Sequence, residues 1–165
     1  MNRFLFALPL LAASSLVSAQ MTVEDLREKD AEVAASLAHF AKKKGVTGKL
    51  DYQHAYFDLN NDNKLDAVAL LKGPEWCTAD GCTMAVLIAD KIGFDFIGAT
   101  EGVNAPIRVN ADVPSRYGYV PFVLTNKDGK NITLKFQQLS YPKSTSVAKQ
   151  ASGSDLSLAK TLIGK

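Results

Sequence analysis

The densest group of oxygen-bearing side chains lies in the segment Asp58-Leu59-Asn60-Asn61-Asp62-Asn63-Lys64-Leu65-Asp66. Counted from its first residue, side-chain oxygens stand at positions 1, 3, 5 and 9, which are Asp58, Asn60, Asp62 and Asp66. Position 7, Lys64, would contribute its backbone carbonyl. A hard cation needs several oxygens around one point, and alternate residues of a tightly turning loop supply them. The spacing therefore predicts a calcium loop.

This loop departs from an EF-hand at two positions. Asn63 stands where a glycine usually makes the turn, which is a mild change because Asn tolerates the left-handed conformation. Ala69 stands at position 12, where an EF-hand has its bidentate glutamate, and this excludes an ordinary EF-hand. The alternative to metal binding is a hairpin whose Asn and Asp side chains cap their own backbone.

The segment from Phe57 to Val68 resembles the strand-loop-strand calcium motif of integrin-type FG-GAP repeats. The resemblance covers about a dozen residues, so it implies a local calcium-binding device between two strands and not a propeller.

Cys77 and Cys82 are the only cysteines of the chain, with four residues between them. A close, even pair in an exported protein predicts a disulfide, and residues 1–19 predict export. The alternatives are a redox pair and a thiolate metal site. Thioredoxin-like redox motifs have two residues between the sulfurs, and a zinc site needs further ligands that this chain does not place nearby. We therefore expect a structural disulfide.

The residues before the first cysteine are Glu75 and Trp76. A rigid loop that presents an aromatic side chain loses little entropy on binding, so Trp76, with Glu75, is a candidate contact for a partner. The alternative is that Trp76 folds back over the core, which is slightly favoured because a small sheet needs covering.

The sequence contains few candidates for catalysis. Its two histidines are His39 and His54, and it has neither a Gly-x-Ser-x-Gly nor a His-Glu-x-x-His pattern. A lone histidine is more often structural than catalytic. No catalytic residue is predicted, although a carboxylate pair for glycoside hydrolysis stays an alternative because the separation of carboxylates is not readable from sequence.

A helix over residues 23–44 precedes these segments. Thr22 and Asp25 approach the capping-box pattern at its start, and Lys42-Lys43-Lys44 followed by Gly45 is typical of a helix end. Between them, apolar residues gather on one helical face, namely Leu26, Val33, Leu37, Ala38 and Ala41.

From residue 50 the apolar period changes to two, which indicates strands. The first begins at residue 50, and further candidates are 65–72, 83–90, 94–100, 107–110, 119–125 and 131–139. Short turns and the lack of intervening helices predict an antiparallel meander of about six to seven strands. The fold class is therefore α+β, with the N-terminal helix packed on one face of the sheet.

The N-terminus predicts export. Arg3, an apolar run and the small-residue box Val17-Ser18-Ala19 form a signal peptide over residues 1–19, with cleavage before Gln20. The expected location is periplasmic or secreted. Removing nineteen of 165 residues leaves 146, with a net charge near +1 that gives no reason to expect nucleic acid, and no later stretch is apolar enough to span a membrane.

The remaining chain is expected to divide into two regions. Residues 20–142 are expected to form a single α+β domain, and 143–165 a flexible C-terminal tail because Ser, Thr, Lys and Gly dominate it. A short helix from residue 155 to 163 is the alternative for part of this tail.

The leader, the Asp-Leu-Asn-x-Asp loop and the Trp-Cys-x4-Cys hairpin, with Pro106-Ile107 and Tyr117-Gly118-Tyr119 later, resemble a group of small uncharacterised bacterial periplasmic proteins and lipoproteins. Their usual forms are Asp-Leu-Asn-Gly-Asp-Gly and Trp-Cys-Gly-x-Gly-Gly-Cys, and this chain departs at several of the glycines. The likeness covers roughly residues 56 to 141 and implies fold and compartment but no activity.

Our leading functional hypothesis is a non-enzymatic binding or inhibitor-like module that presents its hairpin loops to an envelope protein or cell-wall component. Rigid loops without catalytic residues motivate it. The alternative is a cell-envelope hydrolase that uses acidic residues near Asp58 to Asp66, and a purely structural role comes third. The sequence does not predict an oligomeric state.

Overall fold

The computed structural model describes residues 21–112 and 117–164. The predicted signal peptide lies outside the described residues. Helix α1 (Val23–Lys43) begins as predicted, because the Thr22 hydroxyl accepts a hydrogen bond from the N–H of Asp25 (3.1 Å) and the Asp25 carboxylate accepts one from the N–H of Thr22 (2.8 Å). This reciprocal capping box satisfies two N–H groups that the first turn leaves without partners.

The end of α1 also follows the sequence pattern. Lys42 and Lys43 lie in the last turn, where cations favour the negative end of the helix dipole, and Gly45 follows with a φ of 77°. The buried face of the helix consists of Val33, Leu37, Phe40 and Ala41.

Nine strands follow in the described residues. They are β1 (Asp51–Phe57), β2 (Asp66–Lys72), β3 (Cys77–Thr78), β4 (Gly81–Asp90), β5 (Gly93–Val109), β6 (Phe122–Thr125), β7 (Asn131–Leu134), β8 (Lys149–Gln150) and β9 (Lys160–Ile163). They pair antiparallel in the order β1-β2-β4-β5-β6-β7-β8, with β3 on β4 and β9 on β5. The α+β class and the meander are confirmed.

Strand β5 joins two halves of the sheet. The sequence predicted two strands, 94–100 and 107–110, whereas the structure has one continuous strand of 17 residues. Its first half pairs with β4 up to Val103, and its second half pairs with β6 and β9 from Asn104 onward. Gly102, with a φ of 77°, lies where the pairing changes partners. This positive φ, which glycine adopts readily, explains why the alternating apolar pattern of a strand is interrupted at Gly102.

The first half of the sheet lies between α1 and the second half. On β2, Ala67, Ala69 and Leu71 pack toward α1, while Val68 and Leu70 belong to the opposite core. That second core is completed by side chains of β5, β6, β7 and β9. Because both faces of β2 are covered, this strand is apolar throughout, and full burial of Leu71 alone contributes about 1.5–3 kcal/mol.

The segment after residue 142, expected as a flexible tail, contributes to this core. It forms a 3₁₀ turn (Thr145–Val147), β8, a short helix α2 (Gly153–Ser157) and β9. Helix α2 begins two residues before the predicted 155–163, because Ser152 caps it, and ends at Ser157; residues 160–163 pair with β5 instead. Burial of Ile163 attaches the strand. In the part of the chain described, no helix has the length and apolar character needed to cross a membrane.

Candidate functional site

The acidic loop between β1 and β2 turns through its own side chains. The Asp58 carboxylate accepts hydrogen bonds from the N–H groups of Asp62 (3.1 Å) and Asn63 (2.9 Å). The Asn60 side-chain oxygen also accepts from the N–H of Asp62, and Asp62 in turn accepts from the N–H of Lys64 at 2.9 Å. These bonds compete with metal coordination for the same oxygens.

Two asparagines of this loop take the left-handed conformation. Asn61 has a φ of 61° and Asn63 a φ of 65°. Asparagine tolerates this conformation better than most residues that carry a Cβ atom, so both positions make the turn without glycine. The expectation that Asn63 tolerates this conformation is confirmed.

Asp66, the last oxygen donor of the predicted calcium set, lies in the protein interior. Its side chain is fully buried, and its two oxygens accept from the N–H groups of Leu59 (2.9 Å) and Ala89 (2.8 Å). Burial raises the pKa of Asp66 to about 6, although these two hydrogen bonds oppose the rise and the charges of Asp62 and Asp58 add to it. Asp66 therefore links the loop to the end of β4.

The arrangement of the loop is that of the self-capped hairpin, one of the two alternatives drawn from the sequence. Within residues 21–112 and 117–164, no three His, Cys, Asp or Glu side chains are grouped so as to hold a metal ion. The Lys64 ammonium lies 3.7 Å from the Asp62 carboxylate and neutralises part of the loop's negative charge. Calcium would have to replace backbone partners of Asp58 and Asp62, and its binding stays a prediction.

The predicted disulfide is present between Cys77 and Cys82. The two residues face each other in the β3–β4 pair, and Thr78 faces Gly81 at the turn. Gly81 has a φ of 132°, and a Cβ atom there would lie 2.8 Å from the backbone of Gly102. The hairpin is thus cross-linked and pressed against β5.

Trp76 folds back over the core, as the slightly favoured alternative predicted. Its exposure is 7%, its ring centroid lies 5.4 Å from that of Phe40, and its carbonyl accepts a hydrogen bond from the Thr83 hydroxyl at 3.0 Å. It therefore cannot serve as a freely exposed anchor. Its remaining surface lines a groove.

This groove, which we call the β5 groove, has a volume of about 480 Å³. Its walls are the end of α1, the Glu75-Trp76 segment, residues 96–101 of β5 and residues 140–143. Both partner-contact candidates from the sequence thus lie in one concave surface. The contributions of α1, β5 and residues 140–143 were not predictable, because they are distant in sequence.

An aromatic stack forms one wall of the β5 groove. The rings of Phe40 and Phe96 are stacked with centroids 4.3 Å apart, and Phe96 retains 37% exposure. A second hollow of about 550 Å³ shares Phe40, Lys44 and Phe96 with the groove and continues toward His39. The stack therefore separates two neighbouring concavities and is accessible from solvent.

Charges of both signs line the β5 groove. They are Lys44, Glu75, Glu101 and Lys143. Among the ion pairs of the described residues, none involves these four side chains. The groove thus combines an apolar wall with cations and carboxylates that are available to a ligand.

A separate polar cluster links α1 to β1. The Asp30 carboxylate oxygen lies 2.9 Å from His54 Nε2 and accepts a hydrogen bond from the Tyr56 hydroxyl at 2.8 Å. These bonds, led by that of Tyr56, lower the pKa of Asp30, while burial and then Asp30 itself raise the pKa of Tyr56. Asp30 of α1 thus contacts two residues of β1.

Comparison with family models, with curated proteins and with solved structures found no match to this chain.

Proposed function

We propose that this protein is an exported binding module and that the β5 groove is its ligand site. One observation carries the proposal: Glu75 and Trp76, chosen from the sequence as partner contacts, line the same groove as the solvent-accessible Phe40–Phe96 stack. Apolar pockets with a few convergent polar groups are the usual form of a binding site.

The walls of the groove are held in place before any ligand binds. The disulfide fixes the hairpin that follows Trp76, and the Thr83 hydroxyl bonds the Trp76 carbonyl. On the opposite wall, the N–H of Glu101 donates to the Lys143 carbonyl at 2.9 Å. Because these walls are already ordered in the free protein, ligand binding costs little conformational entropy.

The leader sequence and the disulfide together support an extracytoplasmic location, periplasmic or secreted, since disulfides persist in oxidising compartments. We accordingly propose a protein or cell-wall component of the envelope as the partner. Inhibition of that partner is one consequence that its capture would have.

The hydrolase alternative has less support from the geometry. The carboxyl group with the raised pKa, Asp66, has no exposed surface and bonds two backbone N–H groups. A general acid must reach the substrate, and this one does not lie in the β5 groove.

The test is capture of envelope components by immobilised protein that lacks residues 1–19. Phe96→Ala removes the exposed half of the aromatic stack, and Ile92→Ala is its matched control because Ile92 is 94% exposed at the β4–β5 turn, outside the groove. We expect recovery of a specific component to fall about tenfold with the first variant, which corresponds to about 1.4 kcal/mol, and to stay unchanged with the second. Equal recovery by all three proteins would contradict the proposal.

A further inference from the structure

Strand β5 has one unpaired edge over its first half. β4 pairs with one edge from Gly93 to Val103. Within the described residues, β6 and β9 pair with β5 only from Asn104 onward, and Glu101 forms a single parallel bridge with Ser144. In the part of the chain that the structure describes, no strand therefore pairs with the other edge of residues 93–100.

The unpaired edge lies in the β5 groove. Residues 96–99 of β5 line it, between the end of α1 on one side and residues 140–143 on the other. A free strand edge presents a row of N–H and C=O groups that accept another strand, and natural proteins usually cover such an edge or charge it. Here the edge is recessed between two walls, so it is accessible to one chain and protected from open pairing.

We infer that the β5 groove binds an extended peptide segment of a partner protein, which adds to the sheet as a strand on the free edge of β5. The inference rests on the proposed binding function and deepens it. Strand addition gives affinity through main-chain hydrogen bonds and specificity through alternate side chains. The Glu101–Ser144 bridge marks the end of the added strand, since chain already occupies the edge there.

The side chains of the groove define the chemistry of the peptide. Every second residue of an added strand points to the same face. Apolar residues of the peptide would contact the Phe40–Phe96 stack, and charged residues of both signs would neutralise Lys44, Lys143, Glu75 and Glu101, which form no ion pairs in the described structure. The occupant is thus an extended peptide that combines apolar residues with lysine and glutamate.

A second copy of this chain fits the groove less well. A two-fold interface brings the same surface of both copies together, so it must be self-complementary. A recessed edge between the end of α1 and residues 140–143 is concave, and two concave surfaces cannot fill each other. An extended segment of another protein does not have this restriction.

The test uses an acetylated and amidated nonapeptide in which valine alternates with lysine and glutamate. Trp76, the only tryptophan and a groove residue, reports binding by fluorescence. Two further peptides carry N-methyl groups on the residues of one strand edge or of the other. We expect one of the two to lose about tenfold or more in affinity and the other to bind like the parent, because only one edge pairs with β5.

Equal binding of all three peptides would overturn strand addition, as would a parent peptide that does not bind at millimolar concentration. A dimer in sedimentation experiments that Phe96→Ala dissociates would also overturn it, in favour of self-association. These failures can be distinguished from failure of the proposed function. If capture of an envelope component depends on Phe96 but peptide binding is insensitive to N-methylation, the groove remains the binding site and only the added strand is rejected.

Discussion

Asp66 Oδ1 accepts a hydrogen bond from the backbone N–H of Ala89 at 2.8 Å, which joins the exit of the acidic loop to the end of β4 across 23 residues of sequence. The second oxygen accepts from the N–H of Leu59, at the start of the same loop. A residue taken from the sequence as a calcium ligand thus acts as the interior brace of the loop.

Replacing Asp66 should destabilise the protein more than replacing any exposed acid of the loop. Asp66→Ala leaves two backbone N–H groups without their acceptor, at a cost of about 1–3 kcal/mol for each buried group. Urea unfolding at pH 5, below the pKa of about 6, measures the loss. Asp62→Ala is the control, since that side chain keeps 34% exposure, and should cost under about 1 kcal/mol. Equal midpoints for the two variants would contradict the brace.

The stability of the protein should fall as pH rises from about 4 to about 6. The pKa of Asp66 is about 6 in the folded state and 3.8 as an ordinary value, so between these values the folded state binds more protons than the unfolded state. The full difference corresponds to about 3 kcal/mol at 1.36 kcal/mol per pKa unit. Urea unfolding across this range gives the slope.

Asp66→Asn should remove that slope, because Asn does not titrate. The acids with lowered pKa values, Asp25, Asp30, Asp62 and Asp155, act in the opposite direction and in a different window, since they lose stability as pH falls below 3.8. A wild-type profile that is flat between pH 4 and 6 would rule out the raised pKa of Asp66.

Local signals in the sequence were sufficient for the helix, the central strands and the cross-link. Thr22 and Asp25 cap α1 as their spacing predicted, and Cys77 and Cys82 pair across one turn. Each of these features depends on residues within a few positions of each other, so the chain itself specifies them.

Features that depend on distant contacts could not be predicted in the same way. The sequence predicts a flexible tail at residues 160–163, because no local pattern indicates that they pair with β5. In the structure these residues do pair with β5, and Ile163 is buried. The same holds for Asp30, whose partners on β1 lie 24 and 26 residues away, and for the β5 groove, which five separate segments form. Tertiary packing decides such positions.

Removing the disulfide should cost about 2 kcal/mol, the loop-closure entropy of so short a loop. The variant is Cys77→Ala with Cys82→Ala, compared with the wild type by urea unfolding. Reductant should lower the wild-type midpoint toward that of the variant and leave the variant unchanged. A wild-type intact mass without the loss of two hydrogen atoms would refute the cross-link.

Calcium should raise the melting temperature if the loop binds it as its spacing predicts. A ligand of the native state stabilises it by about 1.4 kcal/mol at ten times its dissociation constant. The control is Asp62→Asn, which keeps a side-chain oxygen for the N–H of Lys64 but removes a charge that calcium needs. Wild-type melting that millimolar calcium does not shift would reject the prediction and leave the self-capped hairpin.

Trp76 should contribute to stability before it contributes to binding. Its ring is nearly buried and packs on Phe40, so Trp76→Ala should cost about 3–5 kcal/mol, as large-to-small changes in a core do. Phe96→Ala, which truncates a side chain with 37% exposure, should cost clearly less. Urea unfolding of both variants measures this order. The reverse order would mean that Trp76 is accessible enough to act as a surface anchor, whereas the expected order makes Phe96 the better position at which to test the groove.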